Sequence, residues 1–196
     1  MFTGSAPPPE SDVPTPPTDA VLASTSEHAE RVGAFLARKG MDYMYLPPVL
    51  YSPSRKRIVL DTEWGMLGRD VTDLHPAKWL VYSGYKVLAR LTGVPVVVVE
   101  DAFSMYKVRY AVRGAYDVVC ALGTHVSTNL VLQLMNAPEV IWMMDGDAAG
   151  YKGAATGCKR MRAMGVPSRE LCAPAELDPK DLSCTDIRAL LMGGRV

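Results

Sequence analysis

Residues 95–104 read PVVVVEDAFS and residues 140–150 read VIWMMDGDAAG, two apolar runs that each end abruptly in carboxylates. Short Val- and Ile-rich runs of this kind predict strands buried on both faces of a parallel sheet. Glu100 then stands just past the strand Val96–Val99, and Asp145 and Asp147 just past the strand Val140–Met144. Open α/β sheets bind their ligands at the carboxyl ends of the strands. Acids gathered at that edge repel one another and raise their own pKa values unless a divalent cation neutralises them, and hard oxygen donors favour magnesium or manganese.

Around these two strands the chain alternates. A helix is expected from about Phe103 to Val112, a strand over Tyr116–Leu122, a helix capped by Ser127 and running to Met135, a long helix to Met164 and a fourth strand over Glu170–Ala173. A last helix ends at Gly193–Gly194. Alternation with short connections implies parallel strands and right-handed crossovers. Upstream, Ser26 reads as the N-cap of a short helix that Gly40 stops, with Val32, Phe35 and Leu36 as its apolar face and Arg38 and Lys39 in its last turn. From Met41 to Tyr82 the breaks at Pro47–Pro48, Ser52–Pro53 and Gly65 or Gly68 predict two or three antiparallel strands, followed by a helix across Gly84–Thr92.

Six of the fifteen prolines fall in residues 1–25, where no large apolar residue precedes Val21 apart from the first two and Val13, so that segment is expected to be a disordered Pro-rich tail. The organisation that follows is a tail over 1–25, a small basic lobe over 26–92 and an α/β unit with a C-terminal helix over 93–196.

With 48% hydrophobic and 21% charged residues, the composition is that of a folded soluble protein. Formal net charge is zero but unevenly spread: residues 31–90 carry ten basic side chains against five acids, and residues 91–150 three against six. Basic surface beside a carboxylate cluster suits a polyanion whose phosphates lie on the basic part while a metal works at the acidic part. Ordinary solvated surface accounts for the same counts equally well. Arg55, Lys56, Arg57, Arg69, Lys78 and Lys86 interleave with Tyr51, Trp64, Trp79 and Tyr82. Such a mixture fits single-stranded nucleic acid, by phosphate pairing and base stacking, or else a core with solvated rims.

Cys120, Cys158, Cys172 and Cys184 form no C-x-x-C pair, which argues against a zinc ribbon. No secretory signal and no apolar run near the ~20 residues of a membrane span is visible, so a reducing cytoplasm is the expected compartment, that of the host if the protein is viral, with no membrane partner.

In DGDAAG (145–150), two carboxylates separated by one glycine can face one side of a turn and share a metal, while Gly146 and the small residues after it let a phosphate and the next helix approach closely. Alone this motif is weak, since turns are rich in Asp and Gly. Paired with a strand-terminal glutamate 45 residues earlier it is specific.

VVVVEDAFS (96–104), ALGTHVS (121–127), VIWMMDGDAAGYKGA (140–154) and ELDPKDL (176–182), in that order and spacing, resemble the Toprim domain shared by bacterial-type DNA primases, type IA and II topoisomerases and some nucleases. The likeness is strongest to primases, phage ones especially, because RKRIVLDTEWGMLGRDVTDLHPAKWLVYSG (55–84) also looks like the nucleic-acid-binding lobe of the primase catalytic core. The resemblance implies a Toprim-type parallel sheet flanked by helices with a small mixed α+β N-terminal lobe. It also implies a DNA-directed RNA polymerase of the primase type, transferring nucleotides with Mg2+ or Mn2+ to make short RNA primers on single-stranded DNA. On it, Glu100 is the catalytic carboxylate and a metal ligand, Asp145 and Asp147 are metal ligands and Asp178 holds a further metal. Arg69, Lys78, Lys86 and, as a further basic residue, Arg57 fall where primases contact ribonucleotide triphosphates or template.

Three positions differ from the family pattern: Asp101 follows the glutamate in place of glycine, Ser104 replaces an aspartate, and Lys180 replaces the second acid of a D-P-D pattern. No G-x-x-x-x-G-K-[ST] motif is present, so a replicative helicase and a separate zinc-module protein are the expected partners. A non-catalytic replication accessory that binds single-stranded DNA or a helicase, and a Toprim metal-dependent nuclease, would share the same sheet edge.

Overall fold

The computed structural model describes residues 14–62, 65–84 and 91–193. Two sheets dominate it. The first is antiparallel, in the order β1 (Val21–Leu22), β2 (Val49–Ser52), β3 (Arg57–Thr62), β4 (Gly65–Asp70) and β5 (Trp79–Gly84). The second is wholly parallel, with β6 (Val96–Val99) flanked by β7 (Asp117–Cys120) on one side and by β8 (Val140–Trp142) and then β9 (Ser168–Glu170) on the other. The chain leaves β6, fills one side with β7 and returns to the other with β8, so the switch point of the topology lies between β6 and β8.

Alternation along the buried strands assigns the two faces of the parallel sheet. Val97, Val99, Val118, Cys120 and Ile141 belong to one core with α2 (Ala102–Val112) and α5 (Cys184–Gly193). Val96, Val98, Val119, Val140 and Trp142 belong to a second core with α3 (Thr128–Leu134) and α4 (Ala148–Ala163). The first core does not stop at the sheet. It continues through Phe35, Leu36, Ile58 and Leu60 of the antiparallel lobe, and Phe103 of α2 meets both Phe35 and Trp79, at ring separations of 6.5 and 5.0 Å. Helix α2 is therefore buried nearly all round, where an amphipathic surface helix would bury one stripe.

The parallel half follows the expected alternation, with the last strand two residues earlier than expected because its ladder to β8 begins at Ser168 opposite Val140. The antiparallel half differs more. Five strands form where two or three were expected, since Val21–Leu22 pairs with Leu50–Tyr51 at the sheet edge and β5 extends to Gly84. Residues 19–25 consequently do not belong to a disordered tail. Asp19 accepts hydrogen bonds from Ser52 Oγ at 2.6 Å and Ser54 N at 2.9 Å, anchoring that segment. The first helix, α1 (Ala29–Arg38), starts two residues later than Ser26 predicts, because the Ser26 side chain accepts from His28 N in a preceding turn. The expected helix across Gly84–Thr92 lies largely outside the described residues.

Candidate active site

Glu100, Asp145 and Asp178 line one cleft of about 530 Å³ together with Arg38, Lys39, Arg69 and Lys78. Its acidic floor is the carboxyl edge of the parallel sheet at the switch point. Glu100 follows β6, and its backbone carbonyl accepts from Gly123 N at 2.9 Å, so the turn after β7, where Leu122 and Gly123 have φ of +52° and +133°, holds the glutamate in place. Asp145 follows β8 at the start of the D-G-D turn. Gly146 is fixed on both sides there, donating to Leu177 O and accepting from Glu176 N at 2.8 and 2.9 Å, and a Cβ at this position would collide with the carbonyl of Pro174. Asp147 is exposed beside them and caps α4, accepting from Gly150 N at 2.7 Å.

The floor is electrostatically crowded. Glu100 Oε2 and Asp145 Oδ1 are buried and, among the described residues, have no hydrogen-bond partner. Burial, reinforced by Asp147, Asp101 and Asp178, pushes the Glu100 carboxyl up to about 7. Burial and then the charges of Glu100 and Asp178 push Asp145 up to about 8. Among the described residues Lys180 is the only ammonium within this floor: it is 8% exposed, and its Nζ contacts Asp178 Oδ2 and lies 3.2 Å from Asp101 Oδ2. Burial works against its charge, but the carboxylates of Asp101 and Asp178 outweigh it and hold the lysine protonated well above its ordinary range.

The facing wall is basic and aromatic, built from the C-terminal end of α1 and from β4 and β5. Arg69 is buried, donates to Asp73 Oδ1 at 2.7 Å and lies 5.6 and 5.8 Å over the rings of Phe35 and Trp79. Asp73 also pairs with Lys39 Nζ at 2.9 Å, so one carboxylate aligns two of the cleft's cations. Lys78 is exposed at the rim.

The remaining expected residues are elsewhere. Arg57 is 3% exposed, and its guanidinium donates to the carbonyls of Gly68, Ala77 and Lys78 behind the wall, so it braces the segment that carries Lys78 and does not line the cleft. Lys86 and Trp64 lie outside the described residues. Of the other aromatics, Tyr51 and Tyr82 are core, while Trp79 faces the cleft. Arg38 and Lys39 line the cleft although their place in a last helical turn reads only as a complement to the helix dipole.

Among the described residues no three His, Cys, Asp or Glu side chains form a preformed metal cage. The donor set still fits a hard divalent cation. Two buried, unpartnered carboxylate oxygens face one edge, and magnesium in phosphate chemistry is commonly held by one or two carboxylates plus waters and the substrate phosphates.

This geometry defines a class, a Toprim-type α/β sheet joined to an antiparallel basic lobe. Residues 98–183 match the Toprim-like family model. The described fold as a whole is that of the primase catalytic core: the structure of the DnaG catalytic core aligns with a TM-score of 0.64 at 16% identity over 87% of this chain and 75% of that one. The Aquifex aeolicus primase (zinc-binding and RNA polymerase domains) aligns with a TM-score of 0.62 at 16% identity over 87% of this chain. The chain spans 57% of that protein's length. A DnaG primase catalytic domain bound to single-stranded DNA aligns with a TM-score of 0.58 at 16% identity, over 85% of this chain and 72% of that one. No curated protein sequence matches the chain.

Proposed function

We propose that this chain is a primase-type nucleotidyltransferase that joins ribonucleotides into short primers on single-stranded DNA. One observation carries the reading: four basic side chains, Arg38, Lys39, Arg69 and Lys78, face Glu100 and Asp145 across a single cleft built from both lobes. A nuclease would use the same acidic edge with the basic lobe on duplex phosphates, whereas here the cations stand directly opposite the acids, where a triphosphate would lie. In the reaction the 3′-hydroxyl oxygen of one nucleotide bonds to the α-phosphorus of the incoming triphosphate, the bond to the bridging oxygen breaks and pyrophosphate leaves.

Glu100, at the end of β6 with one buried carboxylate oxygen unpartnered among the described residues, accepts the hydroxyl proton. Magnesium or manganese, when bound, offsets the charge of the phosphate oxygens. Glu100, Asp145 and Asp147 would hold it, with Asp178 completing the acidic rim. Arg69, kept rigid by Asp73 and its two aromatic neighbours, orients the triphosphate, and Lys78 at the rim meets template phosphates. Partners for unwinding and template choice, a replicative helicase or a zinc-bearing module, and a cytoplasmic setting, that of the host if the protein is viral, belong to the same proposal. No described helix is long and apolar enough to cross a membrane.

A second reading, an accessory that binds single-stranded DNA without catalysis, draws on one observation, the ammonium of Lys180 among the acids. Incubating the protein with single-stranded DNA, labelled ribonucleotides and magnesium or manganese separates the two. Short products that disappear in Glu100→Ala are expected. DNA binding without synthesis, even with helicase and a zinc-module protein added, overturns the enzyme reading in favour of the accessory.

A further inference from the structure

We infer that the Lys180 ammonium stands in for one divalent cation, so that this acidic edge binds a single metal ion, at Glu100 and Asp145, and no second ion at Asp101 and Asp178. The inference rests on the metal-dependent reading above and deepens it.

The carboxylates of the floor divide into two groups by what they already hold. Asp101 is fully engaged: Oδ1 accepts from Ser104 N at 2.7 Å, capping α2, and Oδ2 faces Lys180 Nζ at 3.2 Å. Asp178 Oδ2 contacts the same ammonium. A divalent cation at this pair would have to displace a buried lysine whose charge would then be left without a partner. Glu100 Oε2 and Asp145 Oδ1, by contrast, are buried and hold nothing among the described residues.

Lys180 is also fixed from behind. Its carbonyl accepts from the buried Lys107 Nζ at 2.5 Å and packs against Gly40, where an added Cβ would lie 2.6 Å from that oxygen. The ammonium is thus carried by a backbone that cannot swing away. Ser104, whose backbone N–H is capped by Asp101, carries a fully buried hydroxyl and no charge that could compete with Lys180 for Asp101.

Charge supplies the quantitative form. Replacing Lys180 by aspartate changes the site by the charge of one divalent cation, and it frees one oxygen each on Asp101 and Asp178. The variant should therefore take up one ion more than the wild-type chain.

Bound Mn2+ is counted by electron paramagnetic resonance on the 196-residue chain, without DNA or nucleotide, so the readout is independent of activity. One Mn2+ per wild-type chain is expected, lost in the double variant Glu100→Gln/Asp145→Asn and retained in Asp101→Asn, which keeps a helix-capping side chain. Two are expected in Lys180→Asp. If that variant does not fold by circular dichroism, Lys180→Gln, which removes the ammonium without adding an acid, takes its place and should show a second, weaker ion. Two Mn2+ on the wild-type chain, or one ion in every folded Lys180 variant, overturns the substitution of lysine for metal and leaves the enzyme reading standing. No bound Mn2+ on the wild-type chain overturns the inference, and the enzyme reading is then decided by the primer-synthesis assay.

Discussion

The ammonium of Lys107 lies 2.5 Å from the carbonyl oxygen of Lys180 and 2.7 Å from that of Gly40. One side chain on α2 therefore joins the end of α1 to the segment that delivers Lys180 and Asp178 to the cleft. Lys107 is 7% exposed, and burial draws its pKa below the ordinary lysine value, with Cys184 and Asp181 acting in the opposite direction. Lys107→Met retains the apolar stem but leaves both oxygens without this donor. A loss of about 2–4 kcal/mol in unfolding free energy is expected from urea titration at neutral pH. A change under 1 kcal/mol would show that the contact does not hold the lobes.

The raised carboxyls at the floor give a prediction with a definite sign. Folded Glu100 and Asp145 bind protons up to about pH 7 and 8, whereas in the unfolded chain they release them near pH 4. Between those limits the folded state holds more protons, so the metal-free protein loses stability as pH rises from about 4 to 8. Glu100→Gln removes part of this slope. Its thermal midpoint without metal should exceed that of the wild-type chain at pH 9 by a few degrees, at about 2–4 °C per kcal/mol for a chain of this size, and the gap should close towards pH 4. An equal midpoint at pH 9 would contradict the crowding of the floor.

Arg57 and Lys78 separate a structural cation from a binding one. Arg57 donates to three carbonyls, two of them in the segment before β5, while Lys78 is exposed on the cleft rim. Lys78→Ala should leave stability within about 0.5 kcal/mol and lower the dependence of single-stranded DNA affinity on salt by roughly 0.7 in log–log slope, the share of one phosphate contact. Arg57→Met should do the reverse, with stability falling by about 2 kcal/mol and the salt slope unchanged. Fluorescence anisotropy across a salt series reads both slopes.

The parallel half was legible because each element carries its own signal: uninterrupted valines, a Ser or Asp cap, a glycine stop. Asp101, Ser127 and Asp147 all cap the helices that follow them. The β1–β2 pair was not legible, because a two-residue strand has no period and Val21–Leu22 is defined only by its partners Leu50 and Tyr51. Among the site residues, the acids announced themselves by standing at strand ends. Arg38 and Lys39 did not, since their reach into the cleft depends on where α1 packs, through Phe35 against Phe103, and no local pattern encodes that docking. Lys107 was invisible for a related reason: a lone lysine in a helix reads as solvated until all sides of the helix are known to be covered.

The apolar core that runs from Ile58 and Leu60 through Phe35 and Phe103 to Val97 and Val99 has an evolutionary consequence. In this chain the parallel sheet and the antiparallel lobe are covered by one another. A break between β5 and β6 would bare both halves of that core, so a recombination event there would have to supply a new apolar face to each half before either could fold.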